Sequence, residues 1–168
     1  MSVEFIKNME QAMEYLHKQG AFLTVKSGDI VNTMTISWGN IGYEWARPVF
    51  TVLVRKSRYT HELIEDSKEF TVSIPLNSKL KSELALCGAK SGRDVNKFEV
   101  LNLKTKTSSV IDTPIIGGCE LHYECKVVYK NDMNPDMLNE DISNSSYKDG
   151  DYHTMYFGEI VACYLIKD

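Results

Sequence analysis

Between residues 47 and 60 the chain changes character within one turn, from the apolar run Phe50-Thr51-Val52-Leu53-Val54 to the basic run Arg55-Lys56-Ser57-Arg58. β-Branched, aromatic and leucine side chains in succession form a buried strand, and Pro48 sits at its start, where a missing N–H does least harm. Glu62, Leu63 and Ile64 then continue as an amphipathic helix, with Ser57 placed to cap it. Strand, basic turn and helix in this order bring helix N–H groups, the positive end of a helix dipole and guanidinium forks to one spot. Ser57 and Thr60 flank Arg58, so the three can face one bound anion. A solvated basic turn has the same local pattern. Neither GxxxxGK[ST] nor GxGxxG occurs in the chain, which excludes a P-loop and a dinucleotide-binding Rossmann turn.

The 168 residues, 43% hydrophobic and 25% charged, suit a single domain over 1–168 with a substantial core. A formal net charge of −4 argues against nucleic acid as a partner, because such proteins present a basic face to the phosphates. No apolar run approaches the roughly 20 residues of a membrane helix, and residues 1–20 lack the basic and apolar regions of an export signal. The expectation is a cytoplasmic protein without a membrane partner. Cys87, Cys119, Cys125 and Cys163 form no CxxC, and reduced thiols are expected.

Phe5, Met9, Ala12, Met13 and Leu16 fall at helical spacing, which predicts a helix over 3–18 that Gly20 stops. Residues 21–25 and 30–37 read as strands around the turn Ser27-Gly28-Asp29. In the second, Met34, Ile36 and Trp38 alternate with Thr33, Thr35 and Ser37, so a row of hydroxyls lies on the face opposite the core. Residues 39–45, with two glycines and large side chains, read as a loop that covers a planar ligand or forms an interface. A short strand over 70–75 and a helix from 78 towards Gly88 precede a second polar loop, residues 87–98, carrying Ser91, Arg93 and Lys97.

Residues 99–118 read as a meandering connection and 119–129 as a long strand. In that strand Cys119 and Cys125 share a face and His122 points the other way, so the three cannot close a tetrahedral metal site. Residues 131–149 read as a polar loop, and the last strand follows with His153 at its start. GxSxG and HExxH are absent. Many strands and few helices make the fold mainly β, an antiparallel barrel with peripheral helices.

Four segments in order then carry a resemblance: Asn32 to Trp38; Arg47-Pro48 with Val54-Arg55-Lys56-Ser57-Arg58-Tyr59-Thr60; Cys87-Gly88…Ser91-Gly92-Arg93-Asp94…Lys97-Phe98; and Gly150-Asp151…His153…Phe157-Gly158-Glu159. The chain resembles the flavin reductase-like, FMN-binding split β-barrel family, which includes flavoredoxin. The resemblance implies FMN as cofactor, with Thr33, Met34, Thr35, Ser37 and Trp38 along the isoalloxazine ring. It implies Ser57, Arg58 and Thr60 on the phosphate, with Arg55, Ser91 and Lys97 in the same cofactor site. It further implies NADH or NADPH as a transient electron donor, a small-molecule substrate or a redox partner protein as acceptor, and a homodimer. His153 is the candidate catalytic residue, to orient a nicotinamide or protonate an acceptor.

Overall fold

A computed structural model describes residues 4–166. Helix α1 (Met9–Lys18) seals one end of the core with Ala12 and Leu16, both fully buried. It is shorter than the periodicity predicts: Asn8, left-handed at φ 73°, precedes it, and residues 1–3 lie outside the described residues. Strands β1 (Ala21–Ser27) and β2 (Ile30–Ile36) follow, with Gly28 at φ 56° in the turn between them. Next come β3 (Gly39–Glu44), β4 (Arg47–Arg55), α2 (Tyr59–Ser67), β5 (Glu69–Ile74) and α3 (Lys81–Ala89). The short α4 (Lys97–Val100) and the two-residue strands β6 (Thr105–Lys106) and β7 (Ile115–Ile116) lead to β8 (Leu121–Asp132). A 3₁₀ turn at Pro135–Met137, α5 (Glu140–Ser146) and β9 (His153–Leu165) complete the described chain.

Among the described residues seven strands form one sheet in the order β2-β1-β5-β8-β9-β4-β3, every neighbouring pair antiparallel. The two edges, β2 and β3, are consecutive in the chain and joined by Ser37 and Trp38. The sheet is thus rolled with a seam between β2 and β3. Phe50, Val52, Val54, Phe70, Val72, Ile74, Tyr123 and Tyr156 fill its interior, each large side chain contributing roughly 1.5–3 kcal/mol on burial. Because strand side chains alternate, Leu53 and Arg55 of β4 and His153, Met155 and Phe157 of β9 lie on the opposite, outer face. A second apolar cluster, with Phe22, Leu84, Cys87 and Cys119, sits beneath α3.

Two expectations need correction. Residues 39–45 are not a loop: Gly39–Glu44 pairs along its whole length with Arg47–Val52 of β4, and the hairpin turns at Trp45 and Ala46, with φ 52° and 58°. Two consecutive positive φ values match the right-handed twist of the flanking strands. Residues 131–149 are also not simply a loop, since β8 runs to Asp132 and α5 follows. Asn139 caps α5 by accepting from the Asp141 N–H at 2.9 Å. No helix among the described residues is long and apolar enough to cross a membrane.

Candidate functional site

Three contiguous depressions follow β2 from its C-terminal to its N-terminal end. The first is bounded by Met34, Thr35, Ser37, Trp38, Leu53, Arg55, Arg58 and His153. The second is bounded by Asn32, Met34, Ser57, Arg58, Thr60, Gly88, Ser91, Gly92 and Lys97, and shares Met34 and Arg58 with the first. The third, of about 490 Å³, lies beyond Asn32 and Gly92. The segments 34–38, 55–60, 91–97 and 153, distant in sequence, therefore meet along one strand.

Arg58 stands at the junction. It occupies the N-cap position of α2, where no side-chain cap is made among the described residues, and Arg58, Tyr59 and Thr60 border the second chamber, so the uncapped start of the helix lies at its wall. Its guanidinium is exposed and reaches only the Gly88 carbonyl, at 3.5 Å; among the described residues it has no carboxylate partner. Arg93 and Lys56 are committed, by contrast, to Glu62 at 3.0 Å and Asp132 at 2.7 Å. Arg93 also donates to the Ser57 carbonyl and lies 5.0 Å over the Tyr59 ring. It braces the turn.

Several expected site residues have other duties. Ser57 does not cap α2: its hydroxyl donates to Asp151 at 2.6 Å, and its N–H reaches the same carboxylate at 3.3 Å. Arg55 donates to the carbonyls of Asp151 at 2.6 Å and Ser146 at 2.9 Å and covers the Tyr147 ring at 5.1 Å, so it ties the segment 146–151 to the end of β4. The hydroxyls of Thr33 and Thr35 point away from the cleft. Thr33 bonds Thr24 at 3.0 Å, and Thr35 donates to the Leu84 carbonyl at 2.6 Å, which locks β2 to α3. Thr60 is buried and accepts from the Asn32 amide at 2.9 Å. The Ser91 hydroxyl accepts from the Arg93 N–H at 3.2 Å.

Lys97 is 3% exposed and donates to the carbonyls of Thr33 at 2.8 Å and Cys87 at 3.0 Å. Burial lowers its pKa and the Arg58 charge lowers it further, while the Cys87 thiol opposes both. The side-chain nitrogen is thus fixed by two carbonyls at the border of the second chamber.

His153, 7% exposed, is the register partner of Arg55 across β4 and β9. Its Nδ1 lies 2.7 Å from the Tyr147 hydroxyl, and the Trp38 ring is tilted over it at 5.3 Å. Burial, together with the Arg55 charge, lowers its pKa to about 4. The imidazole is neutral at pH 7.

Asn32, Gly92, Tyr147 and Asp151 complete the site and carried no role in the sequence reading. A Cβ on Gly92 would lie 1.9 Å from the Asn32 side-chain oxygen, so only glycine lets the 91–97 loop close on β2. Gly92 and Asp151 stand inside motifs quoted above and were findable; Tyr147, in a polar stretch, gave no local signal.

The site has a cationic end at the uncapped start of α2 and an aromatic end with Trp38 and His153, as a phosphate-bearing planar ligand requires. The chain is similar to the solved structure of flavoredoxin of Methanosarcina acetivorans, with TM-score 0.70 and 25% identity over 89% of this chain and 69% of that one. The FMN-binding protein of Thermus thermophilus shares the fold at TM-score 0.68, 23% identical over 86% of this chain and 68% of that one. An uncharacterised protein of Archaeoglobus fulgidus is 31% identical over 149 residues, 89% of this chain and 73% of the relative. The sequence profile of the flavin reductase like domain matches residues 13–168, and the chain belongs to that family.

Proposed function

We propose that the chain is an FMN-binding oxidoreductase that moves electrons from NADH or NADPH to an acceptor such as a free flavin or a ferric complex. The observation that carries this reading is the meeting of the two chambers at Met34 and Arg58. A ligand with a phosphate at one end and a flat ring at the other spans that junction, its phosphate beside Arg58 and its ring beside Trp38. Arg58 and the first-turn amides of α2 hold the phosphate, with the buried Lys97 nitrogen at its border and Ser91 at the rim. Met34, Ser37, Trp38 and Leu53 border the ring, and β2 offers it backbone groups where the Thr33 and Thr35 hydroxyls are turned away.

Bound flavin supplies the capacity to accept a hydride and release electrons. The chain's own residues bind, orient and shield. Arg55 and Arg58 place positive charge beside the ring site, which favours a more negative state of whatever lies there. His153, neutral and held by Tyr147, orients a nicotinamide rather than protonating an acceptor. An acid with a pKa near 4 holds too little proton at pH 7 for that task.

The first chamber, of about 100 Å³, covers only part of a flavin ring. A second copy of the chain supplies the rest. The outer face that carries His153 continues through Phe157 to an aromatic triangle with Trp45 and Tyr129, at centroid distances of 5.4–5.9 Å. Trp45 and Tyr129 are 58% and 48% exposed, the kind of apolar surface that homodimers bury.

The similarity to the Methanosarcina flavoredoxin favours a second reading, an FMN electron carrier that exchanges electrons with a protein partner. One experiment separates them: FMN is added, excess removed, and the visible spectrum followed without oxygen as NADH or NADPH is added. Rapid bleaching by either nicotinamide supports the reductase. Bands that persist until a redox protein is added support the carrier, and a protein that retains no flavin overturns a resident-cofactor role.

A further inference from the structure

The contact between Ser57 and Asp151 takes two donors out of use at the edge of the second chamber. Ser57 borders that chamber beside Arg58 and Thr60, yet its hydroxyl donates to Asp151 Oδ2 at 2.6 Å and its N–H to Oδ1 at 3.3 Å. A hydroxyl carries one proton and a backbone amide one more. Both donors that Ser57 can offer an anion are therefore given to an anion of the chain's own. Among the described residues the Asp151 carboxylate has no other hydrogen bond and no ion pair, because Lys56 and Arg93 are paired with Asp132 and Glu62.

The backbone around this carboxylate is held from other directions. Arg55 donates to the Asp151 and Ser146 carbonyls, and the Lys56 N–H donates to the Tyr152 carbonyl at 3.3 Å. None of these bonds uses the carboxylate, so it can rotate off Ser57 while residues 146–152 stay docked. Its charge also reaches the first chamber: burial and Arg55 lower the His153 pKa, and Asp151 opposes them. We infer that Asp151 is a specificity-determining residue, which competes with the ligand's phosphate for Ser57 and weakens the preference of the site for a phosphorylated flavin over an unphosphorylated one. The inference rests on the flavin site proposed above. An incoming phosphate must displace the carboxylate to gain the Ser57 proton, and the freed carboxylate remains nearby as a like charge. A flavin without phosphate leaves the Ser57–Asp151 pair intact and meets neither obstacle.

Titration of the full chain with FMN and with riboflavin, followed by quenching of flavin fluorescence, gives a ratio of affinities that isolates the phosphate. Asp151→Ala is expected to raise the preference for FMN about tenfold, the worth of one charge-assisted hydrogen bond regained. Asp151→Asn keeps the shape and an acceptor oxygen but not the charge, and should raise it about threefold; it decides the matter should the alanine variant not fold. In a Ser57→Ala background Asp151→Ala should have only that charge effect, about threefold. A preference that both Asp151 variants leave unchanged or lower, or a tenfold rise that persists without the Ser57 hydroxyl, would overturn the competition and leave the flavin site standing. Binding of neither flavin by the wild type would overturn both.

Discussion

The Tyr147 hydroxyl and His153 Nδ1 lie 2.7 Å apart, joining the residue that follows α5 to the first residue of β9. Burial pushes the Tyr147 pKa up, so the phenol keeps its proton and is the better donor of the pair. Nδ1 then accepts, and the imidazole proton sits on Nε2. Tyr147→Phe is expected to cost about 1 kcal/mol in denaturant unfolding and to raise the His153 pKa, because a bond that favours the neutral ring is lost. Nitrogen NMR of the imidazole reads the tautomer directly, and an Nδ1–H form in the wild type would show the donor assigned the wrong way round.

Acid should destabilise the fold through the same residue. His153 titrates at about 4 in the folded chain against an ordinary value of 6.5, so between these pH values the unfolded chain binds the extra proton. Stability is full above pH 6.5 and declines towards pH 4, by on the order of 3 kcal/mol. His153→Gln should flatten that decline in urea unfolding measured across this range.

Arg58→Ala should leave stability within about 0.5 kcal/mol of wild type, since the side chain is exposed and has no carboxylate partner among the described residues. Flavin affinity should fall about ten- to a hundredfold with the loss of one charge-assisted phosphate contact. An unchanged titration would move the phosphate away from α2.

Gly92→Ala forces a Cβ to within 1.9 Å of the Asn32 oxygen, while the Asn32 amide is held by Thr60. The loop must lift or the bond must break, at a cost of about 1–3 kcal/mol. Asn32→Ala should relieve much of that penalty in the double variant. A single variant as stable as wild type in urea would mean that the loop is loose.

Tyr129→Asp places a charge in the aromatic triangle without touching the cleft. Sedimentation should find the wild type dimeric and this variant monomeric, with weaker retention of flavin because the ring loses its second wall. A monomeric wild type would remove the partner from the proposal.

The strands were legible because their apolar runs are short, alternate with polar residues and end at turn residues. The hairpin at Trp45 and Ala46 was hidden because neither residue advertises positive φ; tertiary pairing imposes it. Arg58, Thr60 and Lys97 were placed beside one another by motif order, but their duties were not. A hydroxyl in a sequence looks equally available whether it faces a ligand, as was expected of Thr35, or a helix carbonyl, as it does. The Ser57–Asp151 and Tyr147–His153 contacts depend on how β9 returns beside β4, which no local pattern encodes.

That return has a consequence for how the protein is made. The seam lies between strands adjacent in the chain, yet the cleft along it also needs β9, whose pairing with β4 joins residues about a hundred positions apart. Ribosomal synthesis delivers β1 to β4 early, and the β3–β4 hairpin must wait at an open edge until β9 is made and docks. Ligand-binding competence should therefore appear abruptly, in one late folding step, rather than grow with chain length.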